Sequence, residues 1–283
     1  MSNQKKRVLV YRDITKNVLN HHKFKCDKYD RLWCYVENEG IWRIEGDIIL
    51  DNILRKHGFL FKNEKKNHHI NEIIKDVRGL IRTMEVPEEP PPYLIPFNNV
   101  IYNLKNDKTL NHSPQYFFIN KLPVDYSAEV KDCPTIGKYF QRFVIPEHVT
   151  TLYELVGYSL YRDYPYQKLF MLYGSGSNGK SVFTNILTNL LGVENTSQVP
   201  VDELQHNKFA PGRLYGKFIN IASEMDYKKL SKTSQLKQAS GGDYLSCERK
   251  FKEPFPFKNY AKLIFNTNQL PRTDDKTDAF YRR

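Results

Sequence analysis

The stretch GSGSNGKS, residues 174–181, separates an apolar run, KLFMLY, from an amphipathic segment, SVFTNILTNLLG. It fits the pattern G-x-x-x-x-G-K-[ST], with Gly174, Gly179, Lys180 and Ser181 in the fixed positions. Glycines let the backbone turn so that several N–H groups face one anion, and the positive end of a following helix faces the same point. The stretch therefore predicts a phosphate-binding loop between a buried strand and a helix.

This loop predicts a nucleotide site, because its lysine can reach the β- and γ-phosphates and its serine hydroxyl can ligate Mg²⁺. The candidate ATP-binding residues are Gly174, Ser175, Gly176, Ser177, Asn178, Gly179, Lys180, Ser181 and Val182. The apolar stripe predicted for the helix is Val182, Phe183, Ile186, Leu187, Leu190 and Leu191, with Gly192 ending it. The alternative, a glycine-rich turn that fits by chance, is disfavoured by the flanking strand and helix patterns.

Net charge, apolar runs and cysteine content indicate the kind of partner and the cellular environment of the protein. The net charge of +11 favours an anionic partner, although the basic residues are spread along the chain and also fit a solvated basic surface. No apolar run approaches the ~20 residues of a membrane span, and the N-terminus lacks a signal-peptide core. The four cysteines are scattered, which favours a reducing environment. We expect an intracellular protein, such as a cytoplasmic one, with no membrane partner.

The chain is predicted to contain three regions. Residues 1–92 are interpreted as a small α+β domain with a hairpin around ENEG, and VPEEPPPYLIP as a linker, because proline cannot continue a helix. Residues 93–150 are interpreted as a linker and helical collar, and residues 151–283 as the nucleotide-binding core. In the first region His21, His22, Cys26 and Cys34 match no standard zinc spacing, so packing of these cysteines as small hydrophobic residues is favoured.

Two later apolar runs end in polar groups suited to nucleotide hydrolysis. KFINIASEMD predicts a strand followed by Glu224, a carboxylate for the Mg²⁺ and the attacking water, with Asp226 a weaker candidate. YAKLIFNTNQLP predicts a second strand ending near Asn266 and Asn268, either of which can contact a γ-phosphate or its water. The alternatives are a surface glutamate and an ordinary Asx turn.

Between these runs, SGGDYLSCERKFKEPFPFK predicts a hairpin with cations beside aromatic rings. Lysine and arginine neutralise phosphates, and phenylalanine can stack on a base. We take Arg249, Lys250, Phe251 and Lys252 as candidate DNA-binding residues. Taken alone, the pattern also fits a charged surface hairpin.

Together these motifs give residues 95–283 a resemblance to the superfamily 3 helicases, in the primase-helicase branch of phages, plasmids and large DNA viruses, including its poxvirus members. FMLYGSGSNGKSVF resembles the Walker A motif and NIASE the Walker B strand. SGGDYLSCERKFKEPFPF resembles motif B′, AKLIFNTNQLP motif C, and DDKTDAFYRR the segment that carries the arginine finger. Five ordered motifs are far more specific than one.

The resemblance implies an α/β fold: an AAA+ type P-loop ATPase core with a parallel sheet, preceded by a helical collar and a small α+β domain. It implies that Lys180 and Ser181 bind phosphate and Mg²⁺, and that Glu224 polarises the attacking water and contacts Mg²⁺. Asn268 would be the sensor of the γ-phosphate, with Asn266 as the second choice. Arg283 would be the arginine finger, and Arg282 would pack locally. Many relatives have two adjacent acids where this chain has Ser223 and Glu224, and many have histidine at the position of Phe251.

The implied function is ATP-driven unwinding or translocation on single-stranded or forked DNA during replication, by a homo-hexamer with a possible primase or polymerase partner. The alternatives are an ATPase-type oligomeric DNA-binding module and a loader without unwinding activity. Relatives continue past the position of Arg283 into a further core strand, so the core is interpreted as truncated at its C-terminus.

Overall fold

The structure, a computed structural model, describes residues 3–56, 66–176, 178–222, 230, 233–249 and 252–283. It forms two compact units. The first contains Met1–Pro90 and His112–Ile119, and the second contains Pro91–Asn111 and Asn120–Arg283. The boundary at Pro90 lies close to the one expected from the proline-rich segment. No sequence pattern indicates that His112–Ile119 belongs to the first unit.

The first unit packs helices against a small antiparallel sheet of order β1-β2-β3. Its elements are α1 (Asn3–His21), β1 (Phe24–Cys26), β2 (Leu32–Val36), β3 (Ile41–Arg43), α2 (Gly46–Lys56) and α3 (Lys66–Ile81). The hairpin predicted around ENEG is confirmed, since Val36 pairs with Ile41. Gly40 in its turn has φ +71°, a conformation that favours glycine. The sequence pattern missed α1.

The segment 112–119 completes the aromatic core of this unit. The backbone N–H of Trp42 donates to the Phe118 carbonyl at 2.7 Å. The Phe117 ring lies 5.1 Å from that of Trp33 and 5.5 Å from that of Trp42, centroid to centroid. Both tryptophans are buried as a result.

The cysteines of this unit pack as small hydrophobic residues, as predicted. Cys26 and Cys34 are buried in the core between the sheet and the helices. Burial raises the pKa of Cys34 to about 12, which keeps its thiol protonated. In the part of the chain that the structure describes, no three His, Cys, Asp or Glu side chains group as a metal site would require.

The second unit begins with a three-stranded antiparallel sheet and then alternates helices and strands. Its early elements are β4 (Leu94–Pro96), β5 (Ile101–Asn103), β6 (Lys108–Leu110), α4 (Pro134–Phe143), α5 (Val149–Leu160), β7 (Phe170–Tyr173) and α6 (Lys180–Leu191). Its later elements are β8 (Thr196–Ser197), α7 (Val201–His206), β9 (Ile219–Ala222), α8 (Ser234–Ala239), β10 (Tyr244–Arg249), β11 (Lys252–Lys258), β12 (Lys262–Thr267) and α9 (Asp278–Tyr281).

The centre of the second unit is a parallel sheet of order β7-β12-β9-β8. The last strand in sequence thus lies between the strand before the glycine-rich loop and the strand before Glu224. Ile264 pairs with Phe170 on one side and with Ile221 on the other. The strands are apolar because both faces of the sheet's middle are covered.

Helix α6 covers one face of this sheet through a narrower stripe than predicted. Its buried residues are Phe183, Thr184, Leu187 and Leu191. Val182, assigned to the apolar stripe, is 50% exposed, because it lies in the first turn beside the loop. Gly192 ends the helix as predicted, at φ +97°.

Residues 93–150, predicted as linker and collar, contain β4–β6 and α4, and the collar role stays a prediction. Among the described residues, none of the helices has the length and apolar character needed to span a bilayer.

Candidate functional site

The glycine-rich loop joins the carboxyl end of β7 to the amino end of α6. The Gly174 N–H donates to the Thr267 carbonyl at 3.3 Å, which ties the start of the loop to β12. Gly179, the residue before the helix, has φ +87° and makes no side-chain cap. The first N–H groups of α6 therefore have no intrahelical acceptor and no side-chain cap, as an anion site requires.

Lys180 lies at the centre of this loop. Its ammonium donates to the carbonyl oxygens of Gly174 at 2.6 Å and Ser175 at 3.2 Å. It also donates to the side-chain oxygens of Asn178 at 3.0 Å and Asn268 at 3.1 Å. The structure thus brings together the loop lysine and the asparagine expected to act as sensor, 88 residues apart in sequence.

A side chain at the first glycine of the loop would displace the side chain of Asn178. A Cβ on Gly174 would lie 1.9 Å from the Asn178 amide nitrogen. Ser175, Gly176, Asn178, Ser181 and Val182 are exposed around Lys180, and Ser177 lies outside the described residues. The loop is therefore open to a ligand on the side that carries the lysine.

The expected ligands of a magnesium ion lie partly outside the described residues. Ser181, beside Lys180 in the first turn of α6, can offer its hydroxyl. Glu224 and Asp226 lie outside the described residues, although β9 ends at Ala222, just before them. One hydroxyl and one carboxylate suit Mg²⁺, which keeps several waters and is held largely by substrate phosphates.

The two candidate sensor residues differ in their surroundings. Asn268 follows β12, is exposed and accepts the hydrogen bond from Lys180. Asn266 is 8% exposed, and within the described structure its side-chain oxygen has no hydrogen-bond partner. The geometry favours Asn268 as the residue that senses the ligand, and both roles stay predictions.

Sequence reasoning missed the support that α4 gives to the loop. The Tyr139 hydroxyl donates to the Gly179 carbonyl at 2.8 Å, and the Phe143 ring packs against Gly179. The only sequence signal is a pair of aromatic residues four positions apart on a predicted helix.

The predicted hairpin is present as the antiparallel pair β10–β11. Phe255 and Phe257 at its base pack on the Tyr215 ring, with centroids 5.0 and 5.3 Å away. The ladder ends with Arg249 opposite Lys252, and Lys250 and Phe251 lie outside the described residues. The structure therefore gives the hairpin an anchored base, and DNA binding by these residues stays a prediction.

The arginine pair after α9 has one bound and one exposed member. The Arg283 guanidinium donates to the Ser240 hydroxyl at 3.0 Å, to the Lys237 carbonyl at 3.1 Å and to the Ala279 carbonyl. The Arg283 carbonyl accepts from the Leu169 N–H at 3.0 Å, next to β7. Arg282 is exposed. Within this chain it is the Arg283 side chain that is bound, and the choice between Arg283 and Arg282 as the finger stays a prediction.

Comparison with known families and structures fits this arrangement. Residues 11–145 match the family model described as D5 N terminal like, and residues 172–283 match a family of unknown function, DUF5906. The first of these matches agrees with the resemblance to the primase-helicases of phages and large DNA viruses. Both halves of the sequence therefore match a family model, and the resemblance stated from the motifs is confirmed.

Solved structures show the same fold at low identity. A structure of the NrS-1 C-terminal region has a TM-score of 0.56 and 18% identity over 92% of this chain and 57% of that one. A second, of NrS-1 residues 305–718, has a TM-score of 0.57 and 18% identity over 93% of this chain and 59% of that one. The chain thus spans less than two thirds of the solved chains that it resembles. JCV helicase matches with a TM-score of 0.34, which is too low to establish a shared fold.

Proposed function

We propose that this chain contains the ATP-hydrolysing motor of a superfamily 3 replicative helicase, working on single-stranded or forked DNA as a homo-hexamer. The observation that carries the proposal is the hydrogen bond between the Lys180 ammonium and the Asn268 side chain. It supports the proposal because it joins the loop lysine to a polar side chain at one edge of a parallel sheet, where α/β proteins bind ligands.

The strand order supports an AAA+ type P-loop core. β12 lies between β7, which leads into the glycine-rich loop, and β9, which leads towards Glu224. An inserted strand of this kind is the arrangement expected of additional-strand ATPases, and it supports a site in which Lys180, Asn268 and the carboxyl end of β9 share one edge of the sheet.

ATP and Mg²⁺ are the proposed ligands. The loop N–H groups and Lys180 would bind the phosphates, and Ser181 and Glu224 would contact the metal. Mg²⁺ would supply neutralisation of the charge that develops on the transferred phosphoryl group. Glu224 would orient and deprotonate the attacking water, and Asn268 would move from Lys180 to the γ-phosphate or the water.

ATP hydrolysis by purified protein tests the site. We expect Lys180→Ala to abolish hydrolysis and leave the melting temperature unchanged, because this side chain acts on phosphate charge. Glu224→Gln should keep ATP binding and lose turnover, since an amide cannot accept the proton. Hydrolysis at the parent rate by Lys180→Ala would refute the assignment.

Unwinding itself depends on the hairpin. Lys250→Ala should weaken single-stranded DNA binding and lower its salt slope by about one, and Phe251→Ala should cost about 1–3 kcal/mol if a base stacks there. Titrations at two salt concentrations measure both effects. Unchanged binding in both variants would favour the alternative, an ATPase that loads or remodels without gripping DNA.

Variants of Arg282 and Arg283 test whether neighbouring subunits share the ATP site. An arginine supplied in trans to the ATP of a neighbouring subunit can accelerate hydrolysis by about 10³–10⁵. An Arg283→Ala subunit mixed with a Lys180→Ala subunit should regain part of the activity that each lacks, because some interfaces then pair an intact loop with an intact finger. The same mixture with Arg282→Ala is the decisive comparison, because Arg282 is the exposed member of the pair.

A further inference from the structure

The glycine-rich loop is held from outside by helix α4, whose residues carry none of the motifs. The Tyr139 hydroxyl donates to the Gly179 carbonyl at 2.8 Å, and the Phe183 N–H donates to the same oxygen at 3.1 Å. The Gly179 carbonyl thus receives the first helical hydrogen bond of α6 and a second bond from α4.

This second bond fixes the orientation of one peptide plane. In a trans peptide, the carbonyl of one residue and the N–H of the next point in opposite directions. A bond from Tyr139 to the Gly179 carbonyl therefore turns the Lys180 N–H away from α4. That N–H is among the uncapped donors at the start of α6 that face the proposed phosphate site.

The aromatic rings of α4 also pack against the backbone at Gly179, where the loop enters α6. The Tyr139 and Phe143 rings stack with centroids 5.5 Å apart, and the Phe143 and Phe183 rings also stack at 5.5 Å. A Cβ on Gly179 would lie 3.2 Å from the Phe143 ring and 3.3 Å from the Tyr139 hydroxyl oxygen. Burial raises the pKa of Tyr139, which keeps its hydroxyl protonated as a donor.

We propose that Tyr139 and Phe143 form an aromatic clamp that positions the glycine-rich loop for phosphate, with the Tyr139 hydroxyl orienting the Gly179–Lys180 peptide. The inference rests on the proposed nucleotide site and adds a positioning role for α4, in the segment that precedes the core. The clamp makes the affinity for nucleotide depend on where α4 lies.

Tyr139→Phe tests the clamp, because it removes the hydroxyl and keeps the ring stack. One hydrogen bond to the loop should change the dissociation constant of ADP by about three- to tenfold. The KM for ATP should rise by a similar factor with kcat within about twofold, because the loop binds phosphate in both ground and transition states. A fluorescent ADP analogue and steady-state hydrolysis measure the two effects.

Tyr153→Phe is the matched control. Tyr153 lies on α5, is 48% exposed, and packs its ring on Phe140 at 4.8 Å without a hydrogen bond to the loop among the described contacts. Its variant should bind ADP as the parent does. Equal ADP affinity in Tyr139→Phe, Tyr153→Phe and the parent, with binding lost in Lys180→Ala, would overturn the clamp and leave the nucleotide site intact.

A second measurement needs no nucleotide. Amide hydrogen exchange of the Phe183 N–H, which donates to the Gly179 carbonyl, should be several-fold faster in ligand-free Tyr139→Phe than in Tyr153→Phe, because the clamp restrains this turn. Unchanged exchange would also overturn the proposal. A parent protein that fails to bind ADP would refute both the site and the clamp.

Discussion

Two lysines of the second unit donate to backbone carbonyls at opposite ends of β12. Lys180 lies at the carboxyl end, partly exposed, with its ammonium on loop carbonyls and on the Asn178 and Asn268 side chains. Lys262, the first residue of β12, is 0% exposed and donates to the carbonyls of Tyr161 at 2.6 Å and Tyr260 at 2.8 Å. Both ammonium groups donate to backbone carbonyl oxygens, but Lys180 is partly exposed to solvent and Lys262 is fully buried.

The surroundings of Lys262 are those of a structural cation. Its ammonium lies 4.5 Å from the ring centroid of Tyr158 and 5.2 Å from that of Tyr164. Burial lowers its pKa to about 7, and Asp163 partly opposes this shift. A cation enclosed in this way cannot exchange its partners for a ligand, whereas Lys180 can. The comparison teaches that solvent access, more than the set of acceptors, distinguishes a lysine that can take up a ligand from one that is enclosed.

The largest effect should come from Lys262→Ala. Loss of the side chain leaves two buried carbonyls without their donor and opens a cavity, so we expect the free energy of unfolding to fall by about 3–5 kcal/mol. Lys180→Ala should change it by less than about 0.5 kcal/mol. Chemical denaturation of both variants checks the pair, and equal losses would mean that Lys180 is also structural.

At the carboxyl end, Asn268→Ala should lower the rate of ATP hydrolysis by about 10- to 100-fold, because one polar contact at the reacting phosphate is lost. Its stability should stay near that of the parent. Asn266→Ala is the matched control, since this residue is buried and its side-chain oxygen has no partner among the described residues. If Asn266→Ala alone loses hydrolysis, the sensor is Asn266.

A smaller effect concerns pH. An unfolded lysine holds its proton to about pH 10.4, whereas folded Lys262 loses it near 7, so the unfolded state binds more protons between these values. Stability should therefore rise with pH, by up to about 1.4 kcal/mol per unit, and Lys262→Met should remove this slope. Denaturation from pH 7 to 9 tests it, below the range in which Tyr158, with its pKa raised to about 12, titrates. A parallel slope in the variant would contradict the assignment to Lys262.

The sequence predicts the carboxyl end of the sheet better than the amino end. The loop, β9 and β12 follow from local patterns, and the meeting of Lys180 with Asn268 follows because parallel strands end at one edge. Nothing local indicates that β12 lies between β7 and β9, since that order depends on contacts far apart in sequence. A lone lysine at the start of an apolar strand is typical of a surface position, and the enclosure of Lys262 comes from distant tyrosines.

Other differences between the predictions and the structure also have identifiable physical causes. The apolar stripe included Val182 because helical periodicity cannot show that the first turn of α6 faces an open loop. Helix α1 was missed because its charged and polar residues obscure the few positions, such as Ile14 and Val18, that it buries. The support of Gly179 by Tyr139 depends on a contact across 40 residues.

The chain passes from the first unit to the second at Pro90–Pro91, returns for His112–Ile119 and leaves again. During synthesis the aromatic core around Trp33 and Trp42 must wait for Phe117 and Phe118, by which time β4, β5 and β6 have left the ribosome. A fragment cut at Pro90 would leave the Trp33 and Trp42 rings partly exposed. It would also leave the backbone N–H of Trp42 without the Phe118 carbonyl as its acceptor. Each unit is therefore made of two segments that alternate along the chain, so no single cut releases both units intact.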